Sequence, residues 1–182
     1  QRQMCIRDRD KEIHKGLNPE EKIIEAMDSA LKLLKNEKLD ILVRISLFHY
    51  LFGYIHPFYD GNGRTSRFIS SYLLSQELDN LIGYRISYTI KENIGKYYKA
   101  FDTCNHPLNK GDLTPFAEMF LNIIDISIKQ LLSALEKRVS ELEHFKSLLE
   151  KMLADETERV KSLYFILVQA ALFSNVGITA QE

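Results

Sequence analysis

The sequence lacks an excess of either charge and has few cysteines. Its 24 basic and 25 acidic residues leave a net charge of −1, and neither sign is concentrated in one region. The bulk of the chain is therefore not expected to bind nucleic acid without specificity. The two cysteines, Cys5 and Cys104, show no metal-binding spacing and no disulfide pattern. Their scarcity favours reduced thiols in a cytoplasmic protein.

No segment predicts a membrane anchor or a secretory signal. The first ten residues are charged and include no apolar stretch. Residues 163–173 are apolar but are interrupted by Gln169 and are too short to cross a bilayer, so we expect a buried helix there. Residues 1–9 have no amphipathic pattern and resemble translated adapter sequence, so we exclude them from fold reasoning. We expect the chain to be a fragment.

The most informative segment is residues 56–67, with the sequence HPFYDGNGRTSR. The apolar residues 39–55 predict a helix that ends at this segment, and residues 68–78 continue as a helix that leaves it. Gly61 and Gly63 permit a tight loop in which successive backbone N–H groups can point at one anion.

Two arginines follow this loop. Arg64 and Arg67 lie three residues apart on one face of the first helical turn, where both can bind phosphate oxygens. Two arginines at the N-terminal end of a helix oppose its dipole unless an anion lies there. The segment therefore predicts a phosphate-binding site.

Residues 56–67 resemble the signature of Fic-domain proteins, His-x-Phe-x-(Asp/Glu)-Gly-Asn-Gly-Arg-x-x-Arg, at every fixed position. The resemblance extends over about residues 14–135. Downstream, Tyr97, Tyr98, Asn105 and residues 111–116 resemble the adenine-pocket helix and the next helix start of AMP-transferring members. The chain departs from that pattern by a few extra residues, 106–110, beside the expected base pocket.

The resemblance implies a protein adenylyltransferase, which transfers AMP from ATP to a Ser, Thr or Tyr hydroxyl of a target protein with Mg²⁺. His56 would deprotonate the hydroxyl, and its pKa class suits that role near neutral pH. Asn62 would donate a hydrogen bond to the α-phosphate, and Asp60 would hold Mg²⁺. Arg64 would bind the β-phosphate and Arg67 the γ-phosphate.

Each of these residues also has a structural interpretation. A histidine is more often a core residue than a base, and Asp60 precedes Gly61 in a common turn pair. Asn62 could serve a left-handed loop position, and the arginines could be surface charges. Phe58 is assigned to the core, as the side chain that fixes the loop.

The adenine pocket and the target-binding flap rest on weaker patterns. Tyr97, Tyr98 and Asn105 are equally consistent with purine contacts and with core packing. Residues 12–17 correspond to the β-hairpin flap that holds the target segment in Fic proteins. Ile13 and His14 would be the flap residues, and a frayed terminus is the alternative.

The fold class expected is all-α, a Fic-type helical bundle with a short β-hairpin flap and C-terminal helices. Asn18 is expected to cap the first helix. Residues 84–88 are expected to be extended, and a capping box at residues 89–92 opens a helix. Helices over residues 114–131 and 139–152 would form a hairpin. The expected divisions are a Fic domain at 10–135, a helical extension at 136–154, and a truncated winged helix-turn-helix unit at 155–182.

The expected regulation and partners depend partly on a sequence motif that the chain lacks. Many Fic proteins carry an inhibitory helix, (Ser/Thr)-x-x-x-Glu-(Gly/Asn), whose Glu would pair with Arg67, but no such segment is found. The helix would then come from a lost segment or from a partner. Alternative functions are a nucleotide-sensing regulator coupled to a DNA-binding C-terminal unit, and removal of AMP. DNA binding by this chain is not expected, since no recognition helix is included. A homodimer stays open, and no membrane partner is expected.

Overall fold

The computed structural model describes residues 5–8 and 11–174, with side chains from Gly16 onward. The chain divides into two compact units, residues 1–129 and 130–182. The helices are α1 (Glu20–Leu34), α2 (Ile41–Ile55), α3 (Asn62–Glu77), α4 (Asn80–Glu92), α5 (Ile94–Asn105), α6 (Thr114–Met152) and α7 (Glu158–Phe173), with a 3-10 turn at Pro107–Asn109. The all-α bundle is confirmed.

A two-stranded antiparallel sheet precedes the helices. Strand β1 (Cys5–Asp8) pairs with β2 (Lys11–Lys15). Ile6 lies opposite His14, and an irregular step between Ile6 and Arg7 leaves Ile13 between paired positions. Excluding all of residues 1–9 from the fold was therefore wrong, because the backbone of β1 completes this pair.

Helix α2 is the centre of the first unit because it is apolar nearly all round. The Asp40 carboxylate caps its start by accepting a hydrogen bond from the Leu42 N–H at 2.8 Å. Phe48, Phe52 and Ile55 form a buried cluster with Ala30 of α1. On another side, the Tyr50 ring packs on Phe101 of α5 and Phe116 of α6.

Helix α4 corrects one sequence prediction. Residues 84–88 are helical rather than extended, and Thr89 is buried near the end of α4 instead of opening a helix. The helix starts at a capping Asp79, whose carboxylate accepts from the Leu81 N–H. Ile82, Ile86 and Ile90 recur at helical spacing and are all buried. Burial of this apolar stripe outweighs the β propensity of residues 84–88.

Elsewhere, the observed helices differ from those predicted from the sequence in two places. The residue that caps α1 is Pro19, without a side-chain hydrogen bond, so the capping role predicted for Asn18 is wrong. Helix α6 is continuous over 39 residues, so residues 114–131 and 139–152 do not form a hairpin. No Gly or Pro interrupts the chain between them, and a turn has no local cause.

The second unit contains the later part of α6 and helix α7. The Arg138 guanidinium donates to the Leu172 carbonyl and lies 5.6 Å from the Phe173 ring centroid. No residue of α7 is buried, which overturns the expected buried helix over residues 163–173. Two helices alone cannot enclose an apolar face. The end of the expected helix-turn-helix unit, residues 175–182, lies outside the described residues. No described helix is both long and apolar enough to cross a membrane.

Candidate active site

His56 ends helix α2 in the left-handed conformation, at φ 56° and ψ 57°. Its Nδ1 lies 3.4 Å from the Gly53 carbonyl oxygen, which can only accept, so Nδ1 carries the proton and Nε2 has a free lone pair. Half-burial lowers the His56 pKa below its ordinary 6.5, and the bond to Gly53 opposes this only in part. The imidazole is therefore neutral near pH 7, as a general base requires.

The loop after His56 is closed by Asn62. The Asn62 Oδ1 accepts from the Phe58 N–H at 2.9 Å, and its Nδ2 donates to the Phe58 carbonyl at 2.6 Å. Asn62 is buried and is the first residue of α3, while the left-handed position belongs to Gly61 at φ 81°. The left-handed alternative for Asn62 is therefore wrong.

Phe58 does not fill the core. Its side chain is 49% exposed, with the ring 6.0 Å from that of Phe52. The sequence prediction that the Phe58 side chain fixes the loop is wrong. The Phe58 backbone, held at both polar groups by the Asn62 amide, does so instead.

The two arginines lie beside the two glycines of the loop. A Cβ added at Gly63 would be 3.3 Å from the Arg67 Nη1, and one at Gly61 would be 3.7 Å from the Arg64 Nη2. The bare backbone of Gly63 therefore leaves room for the Arg67 guanidinium, while a Cβ at Gly61 would make only an ordinary contact with Arg64. With the helix dipole, the two guanidinium groups concentrate positive charge where an anion can reach the backbone N–H groups.

Asp60 is exposed and already has a cationic partner. Its Oδ2 lies 3.0 Å from the Arg64 Nη2, and both side chains are largely in solvent. Its Oδ1 accepts a hydrogen bond from the Gly61 N–H. An exposed pair of this kind is weak and can rearrange when a ligand binds.

A buried network underlies the site. His49 of α2 is completely buried, with Nδ1 2.7 Å from the Ser70 Oγ of α3 and Nε2 2.8 Å from the Tyr97 hydroxyl of α5. Burial, with the nearby positive charge of Arg67, lowers the His49 pKa to about 3. Burial likewise raises the pKa of Tyr97. Of the two interpretations of Tyr97, this placement favours core packing.

The other two adenine-pocket candidates are less enclosed. Tyr98 is half-buried and lies edge-on to Tyr97. The Asn105 Oδ1 accepts from the Tyr50 hydroxyl at 2.6 Å. Within the described chain, the Asn105 Nδ2 is buried without a hydrogen-bond partner. An unsatisfied donor of this kind suits a ligand acceptor.

A cavity of about 510 Å³ opens between α3 and α4, beside the two arginines. The sequence interpretation missed it, since α4 was not predicted. It is lined by Arg64, Arg67, Phe68, Ser71, Tyr72, Ser75, Asn80, Gly83, Tyr84 and Ser87. The small residues Ser71 and Ser75, one turn apart, were the available signal, because they admit a close helix at Gly83.

Comparison with known proteins accounts for this loop. A model of the Fic/DOC family matches residues 2–74, which include all of residues 56–67. This part of the chain is therefore similar to the Fic/DOC family. The fold agrees, since a crystal structure of a Fic family protein from Desulfovibrio desulfuricans G20 superposes with a TM-score of 0.62 at 28% identity. That match covers 71% of this chain and 38% of the other.

Curated proteins that are similar to this chain include some named protein adenylyltransferase. The protein adenylyltransferase fic-1 of Caenorhabditis elegans is 27% identical over 119 residues, which is 64% of this chain and 22% of that protein. The protein adenylyltransferase Fic of Aedes aegypti is 34% identical over 96 residues, 53% of this chain and 17% of that protein. The chain thus spans about a fifth of the length of the curated relatives it matches.

The described part of the chain offers few candidate metal ligands near the loop. Among the described residues, no three His, Cys, Asp or Glu side chains converge as a metal site. The exposed carboxylate of Asp60 is the hard oxygen donor nearest the anion loop. This donor set fits Mg²⁺, which is commonly held by one or two carboxylates together with substrate phosphates and waters.

Proposed function

We propose that this Fic-domain chain is a protein adenylyltransferase that transfers AMP from ATP to a Ser, Thr or Tyr hydroxyl of a target protein. The observation that carries the proposal is a neutral His56, with Nε2 free, directly before a glycine loop flanked by two arginines. A base next to an anion site is the arrangement that hydroxyl attack on a phosphate requires. The names of the relatives support the same reaction.

The His56 Nε2 takes the proton from the target hydroxyl as its oxygen forms a bond to the α-phosphorus of ATP. The bond from that phosphorus to the bridging oxygen breaks, and pyrophosphate leaves with the electron pair. The products are an AMP phosphodiester on the target and pyrophosphate, and His56 returns its proton to solvent. The lowered pKa of His56 favours this return near neutral pH.

The other residues of the loop bind the triphosphate. Arg64 contacts the β-phosphate and Arg67 the γ-phosphate, while the N–H groups near Gly61 and Gly63 face the anion. Asp60 would hold Mg²⁺, which neutralises charge on the departing pyrophosphate. Asn62 shapes the loop through Phe58 and is proposed to donate to the α-phosphate.

The adenine ring is proposed to lie near the C-terminal end of α5. The buried, unpartnered Nδ2 of Asn105 supports this assignment, because a ring nitrogen of adenine would satisfy it. Tyr98 would contact the ring directly. Tyr97 would support the Tyr98 ring by edge-on packing and would not contact adenine with its hydroxyl, which is already hydrogen-bonded to His49.

The β1–β2 hairpin is proposed as the flap that binds the target protein. The backbone of Ile13 and His14 lies in β2, which pairs with one strand, β1, among the described residues. A strand with one unpaired edge can add a target segment by backbone hydrogen bonds. This would place the target hydroxyl without demanding one target sequence.

Inhibition is proposed to act through the cavity at Arg67. About 510 Å³ between α3 and α4 opens beside this guanidinium, and a helix bearing a carboxylate could enter there and exclude the γ-phosphate. The helix would come from a partner protein or from a longer form of this chain. A cytoplasmic location is also proposed, which the free, buried thiol of Cys104 supports.

The proposal is tested with two labelled forms of ATP and Mg²⁺. Label on the α-phosphate should appear on protein, and label on the γ-phosphate should not, because the γ-phosphate departs in pyrophosphate. His56→Ala should abolish the signal, and His144→Ala, on an exposed part of α6, should keep it. Transfer of the γ-label, or equal α-label transfer by His56→Ala, would refute the proposal.

A further inference from the structure

The segment between the hairpin and α1 lies directly against the candidate base. Gly16 follows β2 immediately, and the next N–H, that of Leu17, donates to the Ile55 carbonyl at 3.1 Å. A Cβ added at Gly16 would lie 2.7 Å from the His56 Cβ and 3.2 Å from the Ile55 oxygen. A real Cβ does not approach other atoms so closely, so only glycine permits this contact.

His56 needs such support because its backbone is in a conformation that non-glycine residues rarely adopt. On the α2 side it is held by its own N–H, which donates to the Phe52 carbonyl at 3.0 Å, and by the weak bond from Nδ1 to Gly53. Gly16 lies against the opposite side of His56, at the His56 Cβ. The direction of the imidazole therefore depends on how closely this segment approaches.

We propose that Gly16 is a positioning residue, whose missing side chain lets the segment after the hairpin press on His56 and fix the direction of its imidazole. The inference rests on the proposed function, in which His56 is the base. It adds a physical link between the hairpin and the reacting nitrogen. Movement of β2 would be transmitted through one residue to His56.

Two other glycines provide matched controls. Gly83 faces an equally short contact, because an added Cβ would lie 2.7 Å from the Ser71 carbonyl oxygen, but this contact joins α4 to α3. Gly95 has nothing within 4 Å of an added Cβ. Gly83→Ala therefore reports steric strain away from His56, and Gly95→Ala reports the substitution alone.

The direct measurement is the His56 pKa, from NMR titration of the histidine ring protons in the nucleotide-free full chain. His56→Asn assigns the resonance in these spectra. Burial and the Gly53 carbonyl set the His56 pKa, while Asp60 and Arg64 pair with each other. Gly16→Ala should raise it toward 6.5, because the displaced segment exposes the ring.

Activity gives a second measurement. Gly16→Ala should lower kcat roughly ten- to hundredfold, as expected for a base moved by about 1 Å, and leave the KM for ATP nearly unchanged. Gly83→Ala should lower the melting temperature while the His56 pKa stays constant. Because the NMR titration needs no substrate, a failure of AMP transfer in the wild type would leave this readout intact.

Leu17→Pro is the second variant, since it removes the N–H that bonds to Ile55 without adding bulk at His56. It should raise the His56 pKa as well. An unchanged pKa in folded Gly16→Ala and Leu17→Pro would overturn the proposal. It would also be overturned if neither variant folds while Gly83→Ala does, because the segment would then hold the fold and not the base.

Discussion

Two histidines at nearby positions of one helix have opposite environments. His49 lies two turns before His56, is completely buried, and has both ring nitrogens engaged by Ser70 and Tyr97. His56 is half-buried, with one nitrogen on Gly53 and the other free. Both rings are held neutral, but of the two only His56 has a ring nitrogen free to accept a proton. Acid–base capacity here depends on an unoccupied nitrogen more than on the direction of the pKa shift.

The largest expected effect separates the two histidines by activity. His56→Ala should lower AMP transfer by roughly 10²- to 10⁴-fold, because it removes the proposed general base and little packing. His49→Ala should lower transfer only in proportion to the loss of folded protein. The measurement is transfer of α-labelled AMP, normalised to the folded fraction from circular dichroism. Equal specific losses in both variants would contradict the assignment.

The second prediction concerns the stability of the fold, for which His49 is the important histidine. His49→Ala should lower the free energy of unfolding by about 3 kcal/mol, because it leaves a cavity and two buried hydroxyls without their partner. Urea denaturation of the nucleotide-free chain measures this. His144→Ala, at an exposed position of α6, is the control and should change stability by less than about 0.5 kcal/mol. A similar small change in His49→Ala would refute the network.

Arg64 and Arg67, in the first turn of α3, allow a test of the phosphate assignment. Arg67→Ala should weaken ATP binding by about 1.5–3 kcal/mol, roughly ten- to hundredfold, and affect ADP much less. Arg64→Ala should weaken ATP and ADP together, since both contain a β-phosphate. Calorimetric titration with Mg²⁺ gives the two affinities. A constant ratio of ATP to ADP affinity in Arg67→Ala would remove this residue from the γ-phosphate site.

A smaller effect is expected from the loop that separates His56 from the arginines. Asn62→Ala should cost about 2 kcal/mol of unfolding free energy, because the polar groups of Phe58 lose both partners. Asn122→Ala, on an exposed position of α6, is the matched control. Thermal melts of both variants test the difference. If Asn62→Ala has the same melting temperature as the wild type, the Asn62 amide does not close this loop.

The smallest expected effect is a pH dependence of the folding stability, and His49 should be its main source. Its pKa is about 3 when folded and 6.5 when unfolded, so below pH 6.5 the unfolded chain binds a proton that the folded chain does not. Its stabilisation is complete above pH 6.5 and is lost at up to about 1.4 kcal/mol per pH unit as the pH falls toward 3. The stability difference between wild type and His49→Ala should shrink accordingly between pH 6.5 and 5. A constant difference would indicate that His49 can be protonated in place.

The sequence by itself determined the helical bundle, the helix ending at residue 55 and the anion loop with Gly61, Gly63 and the two arginines. These follow from neighbours within a turn or two, where apolar spacing and glycine freedom are decisive. Only the tertiary structure decided that residues 84–88 are helical, that Tyr97 is buried against His49, that Asn62 holds Phe58, and that Gly16 touches His56. The contacts of Tyr97 with His49 and of Gly16 with His56 join residues that are far apart in the chain. The helix over residues 84–88 depends on burial against another helix, and the Asn62 contact depends on where a side chain points. A local pattern carries no information about any of these.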